Sequence, residues 1–229
     1  MILMKMKSLK ALVLNIILIY LTLWGGHARA ALITVVNPSF EILPVTGLPN
    51  SCGTGCSYSE ELIPGWKNIP FLGLGLSSGQ FRPGTDVGNT TYFDSLSDGI
   101  TSVYTSIPGI VQTVGAVVQQ GVIYTLLVDV GYRKDASPGV VPRLKVNDVF
   151  YDGIGTPVVG GWAPFTATYV GLAADVGQPI TIFLDSASFQ GNFDNVRLHA
   201  TPSAVPLPQT WALLLPAIGM VGMMKRRKA

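Results

Sequence analysis

Residues 31–203 form a succession of short apolar runs separated by clusters of Gly, Pro, Asn and Asp. Short runs bounded by such turn-forming residues are typical of β-strands. The clearest predicted strands cover residues 122–130, 143–150, 165–170, 179–185 and 192–199, and weaker candidates cover 32–36, 66–69, 72–76, 91–93, 101–107 and 110–114. No amphipathic helix of twelve residues is evident among them. Roughly nine to eleven short strands predict one all-β sandwich domain, residues 31–200.

The charges are segregated along the chain. Residues 31–203 contain all 13 acidic residues but only 7 of the 15 basic ones, so this body carries a net charge of −6. The remaining basic residues lie near the two ends of the chain. An acidic body lacks the basic surface that nucleic acids require, so the sequence argues against DNA or RNA as a partner.

Residues 1–30 have the pattern of a secretory signal peptide. Three lysines precede an apolar run over residues 11–24, and small residues ending in Ala28-Arg29-Ala30 supply a cleavage site. We therefore expect export, with a mature chain that begins near Ala31. The alternative is an uncleaved anchor helix, although the run is shorter than the ~20 residues that a membrane span needs.

Residues 209–229 form a second targeting segment. Its apolar part, residues 211–224, predicts a short C-terminal helix. Fourteen helical residues reach only ~21 Å, which is less than the ~30 Å hydrocarbon core of a bilayer. A basic cluster follows: Lys225, Arg226, Arg227 and Lys228. We interpret this cluster as a stop-transfer signal that stays on the cytoplasmic side of the membrane.

The motif Val205-Pro206-Leu207-Pro208 precedes this segment, within a linker at residues 201–208. With the apolar helix and the basic end, it resembles a PEP-CTERM sorting signal in its Val-Pro-Leu-Pro variant. The resemblance implies a Gram-negative bacterium and an exosortase-type enzyme that processes an inner-membrane precursor. Display at the cell surface or in an exopolysaccharide or biofilm matrix would follow. One alternative is a sortase box at residues 207–210, but Trp211 stands where that box needs Gly; the other is a plain membrane anchor.

Three short motifs mark the body. Asn37-Pro38-Ser39-Phe40-Glu41 opens it, Ile63-Pro64-Gly65-Trp66 follows, and Phe193-Asp194-Asn195-Val196-Arg197-Leu198 closes it. This order resembles the galactose-binding-domain-like jelly rolls, which include many carbohydrate-binding modules. The resemblance implies a jelly-roll β-sandwich of two packed antiparallel sheets, in agreement with the strand count.

The same resemblance implies a structural calcium ion that joins the first strand to the last. The positions that match the family's calcium ligands are Glu41 and Asp194, and Asn37 would supply an additional oxygen. Ca²⁺ takes about six to eight oxygen ligands, for which carboxylates are suitable. Alternatively, these carboxylates cap strands or accept hydrogen bonds from backbone N–H groups without a metal.

Aromatic side chains in loops are candidates for stacking on sugar rings. Tyr132 follows the predicted strand 122–130 in a loop rich in Gly and Pro, Trp162 lies between Gly161 and Ala163, and Tyr92 follows two threonines. Binding residues concentrate in such loops. The alternative for each of the three rings is ordinary packing against the core.

Two further patterns concern cysteine and serine. Cys52 and Cys56 are the two cysteines of the chain, and in an exported protein they predict a disulfide. Residues 75–79 match the G-x-S-x-G nucleophile elbow around Ser77, but that elbow needs a strand-to-helix turn, and no helical pattern follows.

We therefore assign no catalytic residue and expect an exported, non-catalytic protein. Its body would bind glycan or pack within the matrix, with calcium in a structural role. The alternatives are a purely structural surface protein without a carbohydrate ligand and a secreted hydrolase.

Overall fold

The computed structural model describes residues 30–69, 78–84, 92–106, 109–135, 139–186 and 190–203. These residues form thirteen β-strands and one short 3₁₀ helix, Ala173–Asp175. The strands are β1 Ala31–Ile33, β2 Asn50–Gly53, β3 Cys56–Tyr58, β4 Lys67–Asn68, β5 Ser78–Arg82, β6 Ser102–Thr105, β7 Ile110–Val117, β8 Val122–Gly131, β9 Val140–Val146, β10 Val149–Asp152, β11 Trp162–Val170, β12 Pro179–Ser186 and β13 Gly191–Pro202.

The strands make two antiparallel sheets. The large sheet has eight strands in the order β11-β8-β13-β6-β5-β3-β2, with β1 also paired to β13. The small sheet has five strands in the order β10-β9-β12-β7-β4. From β6 onward the chain crosses repeatedly between the two sheets, as it does in jelly rolls. This architecture confirms the predicted all-β sandwich.

The core lies between the two sheets and follows from the alternation of apolar residues along each strand. On β8, Leu126 and Val128 are fully buried. They belong to one cluster with Ile182 of β12 in the small sheet and Phe193 of β13. Burial of one such side chain stabilises the fold by about 1.5–3 kcal/mol. The two sheets are therefore held face to face mainly by apolar packing.

The first two sequence motifs close one end of this core. The rings of Phe40 and Trp66 lie 5.4 Å apart, and the indole Nε1–H of Trp66 donates to the carbonyl oxygen of Asn37. Buried Gln80 of β5 donates from its amide to the carbonyl oxygens of Phe40 and Ile42. These bonds fix the segment between β1 and β2 against the large sheet.

Most predicted strands are present, with three differences. The predicted strand 143–150 is wrong as one strand, because Asn147 adopts a φ of +53° and turns the chain between β9 and β10. Residues 92–93 lie in a loop. Strands β2, β3 and β5 were not predicted, since their residues are mostly small or polar and lack apolar alternation.

Several predictions fall on residues that the structure does not describe. These are the signal peptide apart from its last residue, the predicted strand 72–76, the sorting motif at 205–208 and the basic cluster at 225–228. The flanking helices and the sorting signal therefore stay predictions. Within the described ranges, no helix has the length and apolar character needed to cross a membrane.

Candidate functional site

The candidate site lies on the face of the large sheet that points away from the core, which we call the outer face. On β13, Phe193 belongs to the core. Because successive side chains of a strand point to opposite faces, its neighbours Asn192 and Asp194 point to the outer face. Both are nevertheless buried, at 0% and 1% exposure. Other parts of the chain therefore cover this part of the outer face.

One row of residues crosses five neighbouring strands of this face. In the strand pairing, Trp162 of β11 lies opposite Gly131 of β8, which lies opposite Asn192 of β13. Asn192 in turn lies opposite Tyr104 of β6, and Tyr104 lies opposite Gly79 of β5. We call these five residues the upper row. They are far apart in sequence, and the sheet order alone brings them together.

Aromatic rings form a second hydrophobic cluster over the upper row, which we call the aromatic cluster. Its aromatic members are Phe81, Phe93, Tyr104, Tyr58, Tyr92 and Trp162. The rings of Phe93 and Trp162 stack with centroids 4.8 Å apart, and the indole Nε1–H of Trp162 donates to the carbonyl oxygen of Ser95. The hydroxyl of Tyr104 donates to the carbonyl oxygen of Ser59 at 3.0 Å.

Two glycines of the upper row leave space for these rings. A Cβ on Gly131 would lie 2.8 Å from the Trp162 ring and 3.0 Å from Phe93. A Cβ on Gly79 would lie 1.7 Å from the carbonyl oxygen of Ser59. The backbone of these strands can therefore approach the overlying segments only because both positions lack a side chain.

The carboxyl group of Asp194 is the most deeply buried acid of the described chain. Its Oδ2 accepts the backbone N–H of Asp98 at 3.0 Å, and its Oδ1 accepts the N–H of Asn195 at 2.8 Å. Burial raises the pKa of Asp194 to about 8, with smaller contributions in the same direction from the charges of Asp98 and Asp129. At neutral pH this acid is mostly protonated.

Asp129 of β8 lies opposite Asp194 in the strand pairing. Its carboxylate accepts hydrogen bonds from the Ser97 hydroxyl at 2.6 Å and the Asn195 amide at 3.0 Å. It also pairs with the guanidinium of Arg197 at 3.2 Å. The two neighbouring acids therefore have different partners: Asp129 pairs with a cation, whereas Asp194 accepts only backbone N–H groups.

The residues expected to bind calcium are engaged with the backbone. Glu41 accepts the N–H groups of Ile100 and Thr101, each at 2.8 Å. The Asn37 amide group bonds to both backbone groups of Ile42. Glu41 and Asp194 thus accept hydrogen bonds from backbone N–H groups of the same turn.

Among the described residues, no three His, Cys, Asp or Glu side chains are grouped so that they could hold a metal ion. Calcium stays a prediction, and no step below depends on it.

Of the three aromatic residues proposed for sugar binding, the structure brings two together. Trp162 and Tyr92 both belong to the aromatic cluster. The guanidinium of Arg133 lies 4.1 Å from the Tyr92 ring centroid and forms an ion pair with Asp135, which lowers the pKa of that carboxyl. Tyr132 stands apart, and its backbone bonds to Gly160 and Gly161.

The cysteine and serine motifs have structural places. Cys52 and Cys56 form a disulfide in the β2–β3 hairpin, next to the aromatic cluster. Ser77 lies outside the described residues, but Ser78 and Gly79 begin a strand of the large sheet. A strand at that position is incompatible with a strand-to-helix nucleophile elbow.

Sequence reasoning missed Asn192 as a site residue, although a signal for it was present. The predicted strand 192–199 places Asn192 and Asp194 on the face opposite Phe193. The sequence of this strand does not show that other parts of the chain bury that face.

Comparison with solved structures finds the same fold in cyclases. A Stig cyclase, FisC from Fischerella sp. TAU, in complex with (3Z)-3-(1-methyl-2-pyrrolidinylidene)-3H-indole, is 21% identical with a TM-score of 0.61; the match covers 76% of this chain and 100% of that chain. A cyclase from Fischerella sp. TAU in complex with 4-(1H-indol-3-yl)butan-2-one is 20% identical with a TM-score of 0.57, with the same coverage. No curated protein sequence matches significantly.

The model of the HpiC1-like family, described as HpiC1 cyclase, matches residues 31–199. This finding overturns the expectation of a non-catalytic protein that binds glycan or packs in a matrix, and the alternatives of a structural surface protein or a hydrolase. The motifs behind that expectation indicated a sandwich fold, and a fold does not determine function. The match spans nearly the whole described body, and the chain belongs to the HpiC1-like cyclase family.

Proposed function

We propose that this protein is a cyclase whose active site is the upper row and aromatic cluster of the outer face, with Asp194 as the catalytic acid. The observation that carries the proposal is the carboxyl group of Asp194, which is 1% exposed and lies on the same sheet face as a cluster of aromatic rings. Asp194 lies two residues from Asn192 on β13, about 6.6 Å along the strand. Both side chains point to the outer face of the large sheet.

The acid is suited to start a cyclisation. General acids work best when their pKa lies near the working pH, and the pKa of Asp194 is about 8. Asp194 accepts hydrogen bonds from two backbone N–H groups. These bonds keep its carboxyl group in one position and stabilise the carboxylate that remains after proton transfer. Asp194 can thus release a proton and take one back within a single turnover.

The proposed reaction is an isomerisation in which atoms balance without a co-reactant. The carboxyl proton of Asp194 adds to one carbon of a substrate alkene, which leaves a carbocation at the other carbon. The π electrons of the substrate's aromatic ring attack that cation and form the new carbon–carbon bond. The ring carbon then loses its proton to the Asp194 carboxylate, and the acid is restored.

The aromatic cluster would support this chemistry in two ways. Ring faces carry negative electrostatic potential and attract cations, by about 0.5–2 kcal/mol for each contact. The stacked pair of Phe93 and Trp162 and the buried rings of Phe81 and Tyr104 also exclude water, which would otherwise quench the cation.

The aromatic rings of this surface favour an indole-bearing substrate. Flat aromatic rings pack well against other aromatic rings, in stacked or edge-to-face geometry. Two cyclase structures of the same fold contain indole-derived compounds. We therefore propose a substrate that carries both an indole ring and an alkene.

A defined probe tests this function. Purified full-length protein is incubated with 3-(4-methylpent-3-enyl)indole, whose alkene can close onto the ring to give a tetrahydrocarbazole of the same mass. We expect this product from the native protein and a loss of at least about 10²-fold in rate for Asp194→Asn. Asp148→Asn, at a fully exposed acid, should keep the native rate. An Asp194→Asn variant as active as the native protein would remove Asp194 from the catalytic role.

A further inference from the structure

A groove of about 480 Å³ opens at one end of the hydrophobic core, between the two sheets. Its apolar lining includes Ile33 of β1, Ala116 and Val117 of β7, Val122 of β8, and Ala200 and Pro202 of β13. Four of these side chains pack against the core but are only partly buried: Ile33, Ala116, Val122 and Ala200. The groove is therefore an extension of the core that the described part of the chain leaves uncovered.

The groove lies far from the candidate site. It adjoins the first residue of β8, Val122, whereas the upper row crosses β8 at its last residue, Gly131. At about 3.3 Å for each residue of a strand, these two positions are about 30 Å apart. A substrate bound on the outer face would not reach the groove, so the groove needs a different occupant.

The described chain ends at the rim of this groove. Pro202 is the last residue of β13 and lines the groove. The backbone N–H of Ser203 donates to the carbonyl oxygen of Gly121 at 2.7 Å, and this bond fixes the point at which the chain leaves the sandwich. Since consecutive Cα atoms are about 3.8 Å apart, the residues that follow Ser203 start next to the groove.

The sequence after Ser203 is suited to an apolar groove. Residues 204–208 read Ala-Val-Pro-Leu-Pro and carry no charge. The two prolines have no backbone N–H, so burial of this segment leaves few donors without a partner. Val205 and Leu207 each precede a proline, which favours an extended backbone at both positions. In an extended chain, side chains two residues apart point to the same side.

We propose that residues 204–208 of the same chain bind in this groove and cover it with the side chains of Val205 and Leu207. The other end of the body offers a less suitable occupant, because Ala28-Arg29-Ala30 has two small side chains and a charged one. Binding of residues 204–208 would close the open end of the core. An enzyme that processes the chain at this motif would first have to displace it from the groove.

Disulfide trapping in the full-length protein tests the proposal. The two native cysteines are bonded to each other, so they do not compete for the introduced thiols. Val117→Cys combined with Leu207→Cys should form an intramolecular disulfide under mild oxidation. We expect this bond to form at least about tenfold faster than in Thr113→Cys combined with Leu207→Cys, because docking raises the effective concentration of the first pair. Thr113 is a matched control, since it is exposed on the same strand but its hydroxyl contacts Thr181 outside the groove.

Gly115→Glu, added to the first cysteine pair, provides a second test. Gly115 lines the groove, and a Cβ at this position would meet no atom within 4 Å, so the variant should fold. A carboxylate in the groove should slow the cross-link to about the rate of the Thr113 control, because burial of an unpaired charge is unfavourable.

Three results would overturn the proposal. The first is an equal rate of cross-linking for the two cysteine pairs, as expected for a segment that does not dock. The second is a rate that Gly115→Glu leaves unchanged. The third is a disulfide-linked dimer in place of the intramolecular bond, which would mean that a second copy of the chain fills the groove.

Discussion

The buried acid makes a prediction about stability and pH. The pKa of Asp194 rises from 3.8 to about 8 in the folded protein, whereas in the unfolded chain it returns to about 3.9. Between these values the folded state binds one more proton than the unfolded state. Stability therefore falls as the pH rises, by about 1.4 kcal/mol for each pH unit. From pH 5 to pH 8 the loss is about 4 kcal/mol, a large part of the 5–15 kcal/mol typical of a domain.

Asp194→Asn removes this dependence. The amide offers one acceptor where the acid offers two, so either the Asp98 or the Asn195 N–H loses its partner. We expect the variant to be about 1–3 kcal/mol less stable at pH 5. Between pH 5 and pH 9 it should gain about 4 kcal/mol relative to the native protein, because only the native protein must ionise a buried carboxyl.

The assay is urea unfolding followed by tryptophan fluorescence from pH 5 to pH 9, in the presence of a chelator. Asp148→Asn is the matched control, and its stability should stay parallel to that of the native protein. Parallel curves for Asp194→Asn and the native protein would refute the reasoning, since Asp194 would then ionise at its ordinary pKa. A second series with added calcium tests the predicted metal site. Calcium ligation would ionise Asp194 and flatten the native curve.

Two further predictions concern the aromatic cluster. Gly131→Ala should push the Trp162 ring away from Phe93, because the added Cβ would lie within 3.0 Å of both. We expect the free energy of unfolding to fall by about 1–3 kcal/mol and the tryptophan emission to shift. An unchanged emission spectrum would contradict the stacked geometry. Replacement of Cys52 and Cys56 by serine should lower the free energy of unfolding by only about 2 kcal/mol, because the disulfide closes a loop of few residues. A loss of more than twice that amount would mean that the disulfide also supports the aromatic cluster.

The fold could be predicted from the sequence where strands bury one apolar face. β8 and β12 show the alternation directly, and their predicted bounds agree with the structure to within one residue. β2 and β3 could not be found in this way. Their residues are mostly small and polar, and they pair because the hairpin at Cys52 and Cys56 brings them to the edge of β5.

The residues of the site were partly identified, but their role was not. Asp194 and Trp162 were singled out from the sequence, as a calcium ligand and a sugar platform. The proposed role of Asp194 depends on its burial under the turn at Asp98, which lies 96 positions away in sequence. The proposed role of Trp162 depends on the strand order that places it in the upper row. Both are long-range consequences of the sheet topology, and neither leaves a local pattern.

The most direct test of the account is the reaction of 3-(4-methylpent-3-enyl)indole in D₂O. The carboxyl proton of Asp194 exchanges with solvent, so each turnover should place one deuterium on the carbon next to the new quaternary centre. Mass spectrometry and NMR of the product measure that label. We predict one non-exchangeable deuterium in each cyclised molecule and a rate of cyclisation at least about 10²-fold lower with Asp194→Asn. Cyclised product without carbon-bound deuterium would contradict an acid that begins the reaction by protonating the alkene.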